Sequence, residues 1–197
     1  YTHPAKSLER RSGQTALHIL LMGMVRLIAP ILSFTAEEVW HHLPENSVDE
    51  ESVHMSQFPG PDDAGFDEDL VKKWKFLVEL KGEVSKALET SRRDKIIGHS
   101  LDSIVKLELP DNFKAIVKND ELKYIFIVSE VVLVDSIGSE EKIFESDSLQ
   151  GVKVFSEMHP GKKCERCWHY FEPDVKEGKA NGEICSRCED HLQVAGA

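Results

Sequence analysis

The 197-residue sequence lacks a long, uninterrupted apolar segment. Its most apolar stretch, residues 16–32, contains His18, Arg26 and Pro30, and it is shorter than the roughly twenty clean apolar residues that a membrane-spanning helix needs. The stretch therefore predicts a core helix and no membrane span. A secretory signal peptide, with an apolar core and a small-residue cleavage site, is also missing from the sequence, so we expect no oxidising compartment.

The sequence also lacks the usual signatures of a catalytic centre. It contains no Gly-rich phosphate loop, no Ser/His/Asp set and no clustered pair of carboxylates. We therefore expect no active site in this chain. The chain opens with Tyr1 in a polar, basic segment, and we expect it to be a piece of a longer protein.

Lysine and arginine are missing from residues 31–70, although this stretch holds eleven of the 35 acidic residues. It accounts for the net charge of −11, because the rest of the chain carries equal numbers of acidic and basic side chains. Binding to phosphate depends on local potential. The net charge therefore does not exclude a nucleic-acid partner.

Cysteine is scarce, and its four copies form two Cys-x-x-Cys pairs separated by seventeen residues. The pairs are Cys164 with Cys167 and Cys185 with Cys188. This spacing predicts a tetrahedral zinc site made of four thiolates, which leaves no open position and is therefore structural. Iron in the same cage, two disulfides and four unrelated thiols are the alternatives. His169 and His191 lie close by in the sequence, but four thiolates already complete the ligand set.

Hydrophobic periodicity predicts a mainly α-helical chain with a small α+β unit. We expect a helix over residues 7–29 that is buried on most sides, as in a bundle. After Pro30, a second helix is predicted to begin at Thr35 with a capping box, with Phe34 facing inward. A third helix is predicted over residues 67–94, and Gly98 is expected to close it.

The pattern then changes to that of strands. Alternation from residue 101 to 109 predicts a strand with Val105, Leu107 and Leu109 on one face. Residues 121–134 are predicted to form a helix and then a strand, and residues 152–155 a further strand that leads into the metal knob, residues 159–197. We divide the chain into a helical bundle portion (1–98), an α/β junction subdomain (99–158) and this zinc-binding knob.

Two groups of cations lie at predicted helix ends. Arg10 and Arg11 open the first helix, and Arg92, Arg93 and Lys95 follow the third. Each group is a candidate for contact with nucleic-acid phosphates. The alternatives are a solvated helix end for the first group and, for the second, stabilisation of the helix dipole.

Four stretches resemble the class I aminoacyl-tRNA synthetases. Residues 10–17 (RRSGQTAL) and 25–40 (VRLIAPILSFTAEEVW) resemble the anticodon-binding helical domain of the enzymes for Ile, Val, Leu and Met. Residues 83–101 resemble the last long helix of that domain in the Ile and Val members. The cysteine pairs, in CERCWHY and CSRC, are similar to the C-terminal zinc peptide of the bacterial-type isoleucyl-tRNA synthetases. The resemblance to that family runs from about residue 2 to residue 190.

The resemblance implies that the full-length enzyme uses ATP to attach isoleucine to its tRNA and edits mischarged valine. The family's ATP-binding signatures, HIGH and KMSKS, are absent here, so it also implies that this chain is a non-catalytic C-terminal part. Residues 97–99 (IGH) lack the leading His of the first signature. The resemblance further implies one structural zinc ion, a cytoplasmic location, a monomer, and no DNA or membrane partner.

On this resemblance we expect the bundle and the knob to hold the anticodon stem and loop of isoleucine tRNA. Around the cysteines, the expected contacts are Lys162, Lys163, Arg166 and Arg187 for charge, and Trp168 and Tyr170 for stacking. Trp168 is the first candidate for base stacking, and its alternative is a lid packed over the sulfurs. For the chain as a whole, the alternatives are a knob that only pins the tail to the synthetase body, a stand-alone zinc module that binds DNA or protein, and a relative that charges valine.

Overall fold

The computed structural model describes residues 2–44, 50–60, 65, 67–117, 119–138, 142–172 and 183–195. The helices are α1 (Leu8–Ile28), α2 (Ser33–His41), α3 (Glu68–Arg93), α4 (Asp111–Lys114), α5 (Asn119–Phe126) and α6 (Ser186–Ala195). The strands are β1 (Ser103–Glu108), β2 (Glu130–Val134), β3 (Phe144–Glu145), β4 (Lys153–Met158), β5 (Lys162–Lys163) and β6 (Tyr170–Phe171). The predicted fold class, mainly α with a small α+β unit, is confirmed.

Contacts divide the chain into two compact units, residues 3–67 and residues 68–197, with Thr2 grouped with the second. The long helix α3 belongs to the second unit because it packs against β4 and α5. The predicted three-part division at residues 98 and 158 remains a prediction. Across the described ranges, none of the helices combines the length and the apolar character needed to cross a bilayer.

The first unit is built from α1, α2 and a short 3-10 turn at Val53–Met55. The hydroxyl of Ser7 accepts from the amide of Arg10 (3.2 Å), which caps α1 where the sequence predicted its start. Trp40 is only 3% exposed, and its indole nitrogen donates to the carbonyl of Glu50 (2.9 Å). The small core of this unit comprises Val25, Ala29, Ala36, Trp40, Leu43 and Val53.

The predicted burial of α1 on most sides is wrong. Within the described residues, α2 and the 3-10 turn pack on the side of α1 that carries Val25. The other apolar side chains of α1 remain exposed, among them Leu17, Leu20, Leu21, Met24 and Leu27. A periodic pattern identifies residues suited to burial, but two short elements cannot cover a helix on several sides.

The start of α2 also differs from its prediction. The helix begins at Ser33, two residues before Thr35, and no side chain caps it. The hydroxyl of Ser33 instead donates to the carbonyl of Ala29 at the end of α1 (3.0 Å), which couples the two helices. Thr35 therefore lies inside the helix, and Phe34, predicted to face inward, is 93% exposed.

The second unit contains a four-stranded sheet, ordered β2-β1-β4-β3, with α3 and α5 packed on one face. The strands β1 and β2 are parallel and are joined by α4 and α5, as a parallel crossover requires, whereas β4 pairs antiparallel with both β1 and β3. Val105, Leu107 and Leu109 are buried, as predicted. They pack with apolar residues of α3 and α5 in one core.

The long helix α3 ends at Arg93, within one residue of the prediction, but Gly98 does not close it as predicted. Lys95 adopts a left-handed conformation (φ 59°), the amide of Lys95 donates to the carbonyl of Arg92, and the amide of Ile96 donates to that of Ser91 (2.9 Å). This is the pattern of a Schellman cap, which usually uses glycine at the left-handed position. Here Lys95 closes the helix.

Candidate metal centre

The four cysteines lie on two backbone knuckles of the second unit. The first knuckle connects β5 to β6, where the amide of Cys164 donates to the carbonyl of His169 and the amide of Trp168 donates to that of Cys164 (both 2.9 Å). The second precedes and opens α6, where the amide of Glu189 donates to the carbonyl of Cys185 (3.0 Å). A hairpin and a helix N-terminus thus each supply two sulfurs.

The sulfurs form a compact cage. All four Sγ atoms lie within 4.8 Å of one another, and those of Cys167 and Cys185 are 3.7 Å apart. A disulfide needs about 2.05 Å, and all four thiols are unpaired. Four sulfurs at about 2.3 Å from a tetrahedral zinc ion lie about 3.8 Å apart. The cage therefore fits zinc, which would be held by Cys164, Cys167, Cys185 and Cys188.

Hydrogen-bond donors converge on these sulfurs. The amide of Cys185 donates to the sulfur of Cys164 (3.3 Å). The guanidinium groups of Arg166 and Arg187 interact favourably with the sulfurs of Cys188 and Cys167, respectively. Four thiolates around a divalent ion leave an excess negative charge, and donors of this kind stabilise it and orient the ligands.

The thiols do not ionise independently. A hydrogen bond from the thiol of Cys185 lowers the pKa of Cys167 to about 2, and the same bond raises the pKa of Cys185. Burial raises the pKa of Cys188. A cation that binds all four sulfurs as thiolates must displace their remaining protons.

Neither nearby imidazole joins the cage. The Nδ1 atom of His169 lies 3.1 Å from the carbonyl oxygen of Cys167, and that of His191 lies 3.0 Å from the carbonyl oxygen of Thr2. The metal-binding cluster in the described residues consists of the cysteines alone. A set of four protein ligands has no open position for substrate, so the site suits a structural metal.

Trp168 projects from the first knuckle into solvent. It adopts a left-handed conformation (φ 67°), its side chain is 61% exposed, and the Nζ atom of Lys163 lies 5.7 Å from its ring centroid. A lid over the sulfurs would be buried against them. The exposed ring and its neighbouring cation instead favour the stacking interpretation of Trp168.

Tyr170 is directed into the protein. Its amide donates to the hydroxyl of Ser129 (2.6 Å), and its ring centroid lies 5.9 Å from that of His159. Burial and the carboxylate of Asp102 raise the pKa of Tyr170. Tyr170 therefore anchors the knob to the sheet, whereas the predicted contact Lys162 is exposed on β5.

The two arginines of the knuckles also make internal contacts. Besides the sulfur of Cys188, Arg166 reaches the carbonyl of Thr2 (2.9 Å). Arg187 donates to the hydroxyl of Tyr124 (2.6 Å). Both guanidinium groups thus support the cage directly.

The predicted cations at helix ends belong to α1 and to the end of α3. Arg10 and Arg11 are exposed residues of the first unit, and Arg10 reaches the carbonyl of His3 (3.4 Å). In the second unit, Arg92 pairs with Glu89 and donates to the carbonyl of Gly98 (3.2 Å). Arg93 and Lys95 are exposed beside it.

Sequence reasoning missed Tyr124, which contacts the knob from α5. Leu122 and Phe126, on either side of it in the sequence, are buried. Helical periodicity alone therefore places Tyr124 outward, and this signal was available. Its contact with Arg187 joins residues 63 positions apart, and no local pattern predicts such a pair.

A closed four-thiolate cage on a hairpin and a helix N-terminus defines a structural zinc-finger module, here attached to a small α/β unit. Comparison with known families agrees, because residues 161–190 match the family described as a zinc finger found in FPG and IleRS. Residues 1–109 match the anticodon-binding domain of tRNA ligase. That match covers more than half of the chain, so the chain belongs to the family of tRNA-ligase anticodon-binding domains.

The curated relatives that the chain matches are isoleucine–tRNA ligases. The chain is 41% identical over 199 residues to an isoleucine–tRNA ligase of Thermoanaerobacter sp. (strain X514), which covers 98% of this chain and 21% of the relative. It is 40% identical over 190 residues to that of Geobacter sulfurreducens, covering 95% of this chain and 20% of the relative. The chain thus spans about a fifth of the length of these ligases. The predicted correspondence to the C-terminal region of isoleucine–tRNA ligase is confirmed.

Proposed function

We propose that this chain is the part of an isoleucine–tRNA ligase that holds the anticodon stem and loop of isoleucine tRNA. The rest of that enzyme attaches isoleucine to the tRNA with ATP and edits mischarged valine. The protein acts as a monomer in the cytoplasm, with no DNA or membrane partner. A single zinc ion on the four cysteines keeps the knob folded and takes no part in the chemistry.

The exposed ring of Trp168 carries this proposal. RNA loops are recognised by stacking splayed bases on aromatic side chains, while cations hold the backbone. Trp168 leaves the metal cage at 61% exposure, and Lys162 and Lys163 are exposed on the adjacent strand β5. This arrangement offers one stacking surface with Lys163 beside it, and Lys162 is a further exposed cation on the same strand. Arg10, Arg11, Arg92, Arg93 and Lys95 supply phosphate contacts outside the knob.

A second candidate is a purely structural knob that touches no RNA. The internal contacts of Arg166, Arg187 and Tyr170 favour it. These three residues were predicted RNA contacts, and each supports the cage or its attachment. On this alternative, reversing the charge of Lys162 and Lys163 lowers stability and leaves the affinity for tRNA unchanged.

A titration of the zinc-loaded chain, at one stated salt concentration, separates the two candidates. Isoleucine tRNA, the same tRNA with an altered anticodon, and valine tRNA are compared, and a metal-stripped sample runs in parallel. Preference for the intact isoleucine anticodon, lost on chelation, supports the anticodon-holding role. Equal binding to all three tRNAs refutes it. Elemental analysis of the purified chain tests for one zinc per chain against iron.

A further inference from the structure

Tyr124 presents a second exposed aromatic ring next to the metal knob. Its side chain is 45% exposed, whereas Leu122 and Phe126 of the same helix are buried at 0% and 3%. The helix α5 is therefore held by its inner face, and Tyr124 lies on its outer face. A tyrosine in this position contributes little to the core of the unit.

Three neighbours fix the orientation of this ring. The guanidinium of Arg187 donates to the hydroxyl of Tyr124 (2.6 Å), and its central carbon lies 5.4 Å from the ring centroid. The Nζ atom of Lys123 lies 5.3 Å from the same centroid. The ring of His169 meets it edge-on, with centroids 5.8 Å apart and an interplanar angle of 64°. The ring is thus held in place before any partner binds.

His169 connects this ring to the knob's stacking candidate. It follows Trp168 directly in the sequence and packs against Tyr124, so the chain passes from one exposed aromatic residue to the neighbour of the other. Each ring also has a lysine within 6 Å of its centroid, Lys163 for Trp168 and Lys123 for Tyr124. Repeated pairs of an aromatic ring and a cation are the pattern used to bind single-stranded nucleic acid.

We propose that Tyr124 and Lys123 form a second RNA contact, in which the ring stacks on an unpaired base and the lysine pairs with a backbone phosphate. The contact rests on the proposed function, and it extends the RNA-holding surface from the knob onto α5. Arg187 is the positioning residue, because it donates to the tyrosine hydroxyl from the first turn of α6. A role as a simple pin would not need the exposed part of the ring.

Two substitutions at one position separate stacking from pinning. Tyr124→Leu removes the ring, and Tyr124→Phe keeps the ring while removing the hydroxyl that Arg187 holds. The zinc-loaded variants are titrated with isoleucine tRNA at fixed salt, and zinc content and melting temperature are measured on the same samples. Loss of one stacked base weakens binding roughly 5- to 150-fold. We expect this loss for Tyr124→Leu, and tRNA affinity close to that of the unsubstituted chain for Tyr124→Phe.

The lysine has its own readout. Each phosphate contact adds roughly one unit to the slope of log affinity against log salt concentration. Lys123→Gln is therefore expected to reduce that slope by about one unit, an effect that a structural role does not produce.

Phe155→Leu is the matched control for Tyr124→Leu, because it also removes a ring that has a lysine beside it. Lys106 lies 5.2 Å from the Phe155 ring centroid, on the sheet face opposite the buried Val154 and Ser156. This variant is expected to leave tRNA affinity unchanged.

The outcomes distinguish this contact from the proposed function. If Trp168→Ala weakens tRNA binding while Tyr124→Leu does not, the Tyr124 contact is overturned and the RNA-holding knob stands. If Tyr124→Phe loses as much tRNA affinity as Tyr124→Leu and also has a lower melting temperature, Tyr124 acts as a structural pin through its hydroxyl and the RNA contact is overturned. If the unsubstituted chain does not bind isoleucine tRNA, or if neither ring matters, both proposals fail.

Discussion

Among the glycines that the structure describes, Gly161, at the start of the β5–β6 hairpin, is the one where an added methyl group should damage the metal centre most. A Cβ atom there would lie 2.2 Å from the carbonyl oxygen of Phe171 and 2.8 Å from Cε1 of His159. Carbon and oxygen atoms normally approach to about 3.3 Å. In Gly161→Ala, β6 must therefore move by about 1 Å away from β5.

The displacement has two energetic consequences. Forced overpacking costs about 1–3 kcal/mol. The hydrogen bond from the amide of Gly161 to Nδ1 of His159 (2.9 Å) is strained or lost, which adds about 0.5–1.5 kcal/mol. Together they destabilise the folded hairpin by about 2–4 kcal/mol. Because metal binding and folding of such a knob are coupled, the affinity for zinc should fall about 30- to 1000-fold.

Competition with a chromogenic zinc chelator at neutral pH measures this loss. Gly82→Ala is the control, because Gly82 lies within α3 with no atom near the added Cβ. That variant should keep its zinc affinity and gain about 0.5–1 kcal/mol in free energy of unfolding. Unchanged zinc affinity in Gly161→Ala would refute the close approach of β5 and β6 and the coupling argument with it.

Three further predictions concern the second unit. Glu83 is 3% exposed and accepts hydrogen bonds from Lys86 and Ser146 (both 2.6 Å), which lower its pKa below 4.5. Glu83→Gln should therefore reduce the free energy of unfolding by about 1–3 kcal/mol at neutral pH. Urea titrations should show that this difference between the two proteins shrinks as the pH falls below 4.5 through the folded-state pKa of Glu83. A difference in unfolding free energy that persists in acid contradicts this prediction. Lys95→Gly should raise the melting temperature, because a side chain in the left-handed conformation of Lys95 (φ 59°) costs about 1 kcal/mol of backbone strain that glycine does not have. A lower melting temperature contradicts this prediction. Chelation should abolish amide hydrogen-exchange protection in β5, β6 and α6 and preserve it in β1, since metal binding supplies the folding energy of the knob; equal loss in both would show that the sheet also depends on the metal.

Hydrophobic periodicity predicted the elements whose buried face follows from the sequence pattern of the element itself. α3 begins and ends within one residue of its predicted bounds, and Val105, Leu107 and Leu109 are buried on one face as expected. An amphipathic pattern this long fixes both the element and its inner face. The same reasoning failed for α1, because a pattern does not reveal which of its apolar residues a neighbour covers.

Helix ends and side-chain directions were harder to predict because they depend on single backbone conformations. Thr35 and Gly98 carry the usual residue types for a cap, yet Ser33 and Lys95 occupy the ends of the helices. In the knob, cysteine spacing was enough to predict the cage. It could not show that Arg187 bonds to Tyr124 across 63 positions of sequence.

The attachment of Tyr170 to Ser129 has a consequence for biosynthesis. All four strands of the sheet end by Met158, so they emerge from the ribosome before Cys164 does. Chains fold from the N-terminus as they emerge, and the hydroxyl that receives Tyr170 is therefore in place when the knob appears. A cell short of zinc would accordingly make a chain with a finished sheet and an unfolded tail, and supplying the ion later would complete the molecule without refolding the rest.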